Sequence, residues 1–75
     1  KTYTVYFYVR ANRTGYMVDV DVQAQTAKSA CALVKQWFKD LTGRNAFAPT
    51  TKCDPDIDEW YRSQGRRYHM SMKDN

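Results

Sequence analysis

The chain predicts an α+β fold: a two-layer sandwich in which a main helix and a short second helix cover a small antiparallel sheet. Three patterns predict it. Residues 2–10 and 16–24 alternate with the period-two spacing of strands, and a five-residue polar loop joins them. Residues 26–42 repeat apolar side chains every three and four positions, as one helical face does. Residues 54–65 carry a second, shorter helical signal, and residues 66–73 a third alternating run. The predicted order is ββααβ.

In residues 2–10 (TYTVYFYVR), β-branched and aromatic side chains dominate, and these suit a pleated surface. Tyr3, Val5, Phe7 and Val9 share one face; Thr4, Tyr6, Tyr8 and Arg10 share the other. Asn12 and Gly15 supply turn geometry. The second strand places Tyr16, Val18, Val20 and Val22 on one face and Met17, Asp19, Asp21 and Gln23 on the other. Antiparallel partners share a face. That predicts a hairpin pairing Val9 with Tyr16, Phe7 with Val18 and Val5 with Val20.

Thr26 reads as a helix N-cap and Gly43 as the glycine that ends the helix. Ala30, Leu33, Val34, Trp37, Phe38 and Leu41 form its predicted core face. Residues 44–53 lack a period, and Pro49 argues against a central strand, so they read as a loop anchored by Phe47. Asp54-Pro55 looks like an N-cap followed by proline at the first helical position. Asp56, Asp58 and Glu59 then fall in the first turn, where the helix dipole favours negative charge. Ile57, Trp60 and Tyr61 make a short apolar face, and Gly65 stops the helix. In the last segment Tyr68, Met70 and Met72 would face the core; Arg67, His69, Ser71 and Lys73 would face out.

Seventy-five residues make one small domain, spanning 1–75, whose core depends on a few large side chains. No apolar run is long enough to cross a bilayer, and no secretory leader pattern opens the chain. Two cysteines without C-x-x-C spacing suit reduced thiols in a cytoplasmic protein; a secreted form with a Cys31–Cys53 disulfide is the alternative. The net charge of +4 leans mildly toward acidic or polyanionic partners. The acids at 54–59 interrupt that basic character.

Chemistry-bearing motifs are scarce, and the expectation is no enzyme, no cofactor and no metal. His69 is the only histidine, and no serine sits in a nucleophile elbow. No glycine-rich phosphate loop occurs. Asp54-x-Asp56-x-Asp58 resembles the start of a calcium loop, but positions six and twelve hold Glu59 and Gly65 instead of glycine and glutamate. Helix capping explains the same acids. Two cysteines and one histidine make a poor zinc set.

A candidate binding face follows if both helices cover the Val/Phe side. Tyr6, Tyr8 and Arg10 would then stand on an open sheet face with Arg13, Arg66, Arg67, His69 and Lys73 nearby. Tyrosine and arginine are common anchors of protein interfaces. Rings set among cations also suit single-stranded nucleic acid, although no RNA-recognition signature is present. Asp19 and Asp21 lie on the same face, where they would either repel phosphate or pair with Arg67 or Lys73. The expected function is a small non-enzymatic binding protein, an accessory factor or inhibitor of the kind viruses also encode. It would dock on a larger protein or nucleoprotein complex. A single-stranded RNA or DNA binder is the alternative, and a monomer or a homodimer through the sheet face or edge fits either.

Overall fold

A computed structural model describes residues 1–72. In chain order its elements are β1 (Thr2–Val9), β2 (Tyr16–Gln23), α1 (Ala27–Thr42), β3 (Phe47–Thr50), α2 (Pro55–Ser63) and β4 (Arg67–Ser71). The four strands form one sheet in the order β3-β1-β2-β4. β1 runs antiparallel to β2 and β3, while β2 and β4 are parallel. The α+β class therefore stands, but the sheet is mixed and has four strands, not three antiparallel ones. The order is ββαβαβ.

The hairpin has the register read from its alternation: Val9 opposes Tyr16, Phe7 opposes Val18 and Val5 opposes Val20. Val5, Phe7, Val9, Val18, Val20 and Val22 are all buried on one face. The turn closes through a hydrogen bond from the Gly15 amide to the Ala11 carbonyl. Gly15 has φ +71°, and a Cβ there would lie 2.3 Å from the Val9 carbonyl oxygen. Gly15→Ala should therefore destabilise the domain by at least about 2 kcal/mol, from left-handed backbone strain plus the clash. In a domain this small, that lowers Tm by about 8 °C or more. A thermal melt checks it; an unchanged Tm would show that the loop relaxes freely.

α1 is capped at both ends. The Thr26 hydroxyl accepts from the Ser29 amide, and the Ser29 hydroxyl accepts from the Thr26 amide. Gly43 takes φ 75° and its amide donates to the Lys39 carbonyl. Only Ala30, Val34 and Phe38 of the helix are fully buried. Phe38 lies against Phe7 with ring centroids 4.8 Å apart. Leu33 and Leu41, expected in the core, are 47% and 60% exposed. Leu33 lies on the flank toward β4, which α1 does not reach, and Leu41 lies in the last turn, beyond the buried residues of the helix.

β3 occupies the segment expected to be a loop. Its sequence hides a strand because Ala48 bulges at φ 51° and Pro49 follows at once. Both are tolerated because β3 is an edge strand, with Pro49 not needed in an interior ladder. The bulge returns Thr50 to register with Tyr6 after Phe47 has paired with Tyr8. Phe47 is not the core anchor; it is 39% exposed, and Ala46 beside it is buried.

β2 connects to β3 through α1, and β3 connects to β4 through α2. These two crossovers travel in opposite directions across the same sheet. Right-handed crossovers in opposite directions place their helices on opposite faces. The contacts agree: α1 meets Phe7, while Tyr61 of α2 meets Tyr8 on the other side of β1. The fold is thus three layers, helix on sheet on helix, and not the expected two. α2 begins as read, with the Asp54 carboxylate accepting from the Asp56 and Ile57 amides and Pro55 following. Among the described residues, no helix is long and apolar enough to cross a membrane.

Candidate interaction surface

The α2 layer changes the face on which Tyr6 and Tyr8 stand. That face is not an open platform; α2 crosses it and divides it into a polar half and an aromatic half. Met17 of β2, which opposes Tyr8 on this face, is only 1% exposed.

The polar half is built on Arg67. Its side chain is only 6% exposed, and its guanidinium reaches Asp58 of α2 at 2.5 Å and Asp19 of β2 at 2.5 Å. Asp58 is shared with Arg62, 2.9 Å away, and Asp19 is shared with His69. Arg67 also lies over the Tyr6 ring, 5.7 Å from its centroid. Burial opposes the Arg67 charge, but hydrogen bonds to Asp58 and Asp19 outweigh it and hold its pKa above the ordinary value. The same bonds, from Arg67 first and Arg62 second, hold Asp58 below the usual carboxylate range. Asp21 is occupied by the Thr4 hydroxyl, 2.6 Å away. Of the pairings read from the sequence, Arg67 with Asp19 is formed; Lys73 lies outside the described residues.

His69 is exposed, and its hydrogen bond to Asp19 raises its pKa above the ordinary histidine value. A raised folded-state pKa stabilises the fold below the unfolded value, and the contribution is lost as pH rises through the folded one. The His69 ring protons should therefore titrate with a midpoint above about 6.5, and Asp19→Asn should return it toward that value. An NMR pH titration reads both. A wild-type midpoint at or below the ordinary value would show that the pair does not form.

The aromatic half runs from α2 to the hairpin end. Trp60 meets Tyr61 edge-on at 4.9 Å, and Tyr61 meets Tyr8 at 5.7 Å. Tyr8 opposes Phe47 across the β1–β3 ladder, and the Arg10 guanidinium lies 4.9 Å over the Phe47 ring. Phe47, Ile57 and Trp60 are 39%, 39% and 47% exposed. An open groove of about 590 Å³ is lined by Tyr8, Asp56, Ile57, Trp60 and Tyr61. A second depression continues past Tyr8 and Phe47 to Arg10 and Arg13 in the hairpin loop.

The sequence-derived candidates are therefore split. Tyr8, Arg10 and Arg13 border the aromatic half. Tyr6, Arg67 and His69 belong to the ion-paired half. Arg66 sits apart, donating to the Gly15 carbonyl at the start of β4. The surface also includes Phe47, Trp60 and Tyr61, which the sequence assigned to the core-facing sides of their segments. Burial raises the pKa of Tyr6 and of Tyr8, with Cys53 and Tyr61 the next contributors, so both phenols stay protonated at neutral pH.

Cys31 packs at the edge of the α1-side core, and burial raises its pKa. Cys53 lies on the α2 side, where burial first and Asp58 second raise its pKa. The sheet separates the two, and both are free thiols, so the alternative Cys31–Cys53 disulfide is not formed. Among the described residues, no group of three or more His, Cys, Asp or Glu side chains is placed to hold a metal ion. No family model, no curated protein and no solved structure matches this chain.

Proposed function

We propose that this chain is a non-enzymatic binding protein that docks on a larger protein or nucleoprotein complex through the strip Trp60–Tyr61–Tyr8–Phe47–Arg10. One observation carries the reading: Trp60, Tyr61 and Tyr8 in ring contact, with Phe47 beside Tyr8 on the neighbouring strand under the Arg10 guanidinium, line two adjoining depressions on the molecule's surface. Trp, Tyr and Arg are the residues that most often dominate interface energetics. They offer large apolar area at low entropic cost, with polar tips to fix orientation.

The geometry favours a protein partner over single-stranded nucleic acid. Arg67, the cation nearest Tyr6, is committed to two carboxylates. Asp56 lines the groove beside Trp60, where it would repel phosphate.

Trp60→Ala should weaken partner binding by at least about 2 kcal/mol, roughly 30-fold in Kd. Stability should change little, because Trp60 is half exposed. The test immobilises the wild-type chain and the Trp60→Ala and Tyr8→Ala chains and compares what each retains from the source cell. A partner held by wild type and lost by both variants is then purified and its Kd measured at two salt concentrations. Equal retention by all three chains would refute this surface. Strong binding to a short single-stranded oligonucleotide, falling steeply with salt, would move the assignment to nucleic acid.

A further inference from the structure

The sheet's two edges are unequal. β3 is short, bulged at Ala48 and interrupted by Pro49, three devices that stop an edge strand from recruiting another. β4, one residue longer, has neither bulge nor proline. The Met17 amide donates to the Arg66 carbonyl, so alternation turns the main-chain groups of Arg67, His69 and Ser71 away from β2. The charges on β4 do not guard it either. Arg67 is neutralised by Asp19 and Asp58, and His69 is held by Asp19.

On the α1 side, β4 presents an uncovered apolar row. Tyr68 is 51% exposed, with Met70 and Met72 half-buried beyond it. α1 does not reach over this strand. The helix flank nearest to it is apolar as well: Leu33 borders a groove with Val22 and Met72, and Trp37 lies one turn further on. Each precedes a buried residue by one position, Val34 and Phe38. Lys35 and Lys39 each follow one, which turns them to the opposite flank. The net positive charge is thus kept off this side of the helix.

We infer that β4 is a self-association edge, at which two copies of this chain pair antiparallel about a two-fold axis and join their four-stranded sheets into one. The strand is complementary to itself with Met70 facing the partner's Met70. Tyr68 then faces the partner's Met72 on the apolar side, and His69 faces the partner's Ser71 on the other. Between residues 68 and 72 no pair opposes two like charges; the next position sets Arg67 opposite the partner's Lys73, and Arg67 is already neutralised by Asp19 and Asp58. The outward main-chain groups of His69 and Ser71 complete the ladder, and the Leu33/Trp37 flanks close over the joined apolar rows. This interface is separate from the aromatic strip and does not rest on the docking role.

Sedimentation of the full chain across about 10 µM to 1 mM should show mass rising from 8.8 kDa toward twice that value, as expected for a small interface. Ser71→Pro removes an outward amide, and Tyr68→Lys sets an unpaired charge in the apolar row. Both should remain monomeric with wild-type far-UV circular dichroism, while Trp60→Ala should dimerise as wild type does. Amide exchange on the unmodified chain gives a readout independent of variant folding. The His69 and Ser71 amides should become protected as concentration rises. A wild-type chain that stays at 8.8 kDa throughout, or a dimer whose His69 and Ser71 amides exchange independently of concentration, overturns the inference.

Discussion

Phe38→Ala should remove about half of the domain's folding stability. Phe38 is 1% exposed and stacks against Phe7, which is wholly buried. The other core residues of α1 are Ala30 and Val34, so Phe38 supplies most of the volume with which the helix fills the sheet face. Its neighbours there are mainly short valines, which cannot extend to close the gap. Truncating such a phenylalanine costs about 3–5 kcal/mol in lost transfer energy and residual cavity. A chain of this length has about 4–11 kcal/mol in all. A urea titration followed by circular dichroism should show the midpoint fall to about half its wild-type value. Leu41→Ala, at 60% exposure, should stay within about 0.5 kcal/mol of wild type. Equal effects at the two positions would contradict the burial of α1 described above.

Arg67→Met has the second-largest expected effect, for an electrostatic reason. The substitution keeps most of the apolar stem and removes the cation that Asp19 and Asp58 share. Those carboxylates are only 14% and 20% exposed, and stranding them costs about 2–3 kcal/mol. That is below the cost for fully buried charges because each keeps another partner and some water. The pH dependence gives a separate signature. Asp58 has a depressed pKa in the fold, so its contribution is complete above the ordinary aspartate range and disappears as pH falls through the folded value. Wild type should lose stability on acidification from pH 5 to about pH 2. Arg67→Met should start lower and lose less over the same interval. Urea midpoints at pH 7 and pH 3 measure both, and parallel losses in the two proteins would remove Arg67 as the cause.

What could be read from the sequence was whatever neighbouring residues decide. The hairpin register follows from alternation on either side of one turn, and it matches pair by pair. The caps at Thr26, Gly43 and Asp54 are set within a few residues of each helix end. Distant segments decide the rest. Nothing in Ile57, Trp60 and Tyr61 says which sheet face they will meet; the direction of the chain from β3 to β4 does. The strand at 47–50 was hidden because its bulge breaks alternation at the point where Pro49 argues for a loop. The candidate surface shifted for the same reason. Once α2 crosses the Tyr6/Tyr8 face, Tyr8 joins Tyr61 and Trp60, while Tyr6 is drawn beneath Arg67. The pairing of Arg67 with Asp19 was foreseeable from charge and alternation, whereas the second carboxylate, Asp58, was not.

The distribution of burial gives the molecule two unequal cooperative units. Every fully buried side chain among the described residues belongs to β1, β2, α1 or Ala46; α2 and β4 contribute none. Segment 54–72 is therefore fastened at the margin of the core, through the β2–β4 ladder, the packing of Met70 and Met72, the Arg67 ion pairs and the Tyr8–Tyr61 contact. Such a segment opens at lower free energy than the whole domain unfolds. Each opening separates Tyr61 and Trp60 from Tyr8 and uncovers Met17, so the aromatic strip exists only while the segment is closed. Any partner that grips both sides of the strip must also hold this segment shut, and its binding would register as slowed amide exchange throughout residues 54–72.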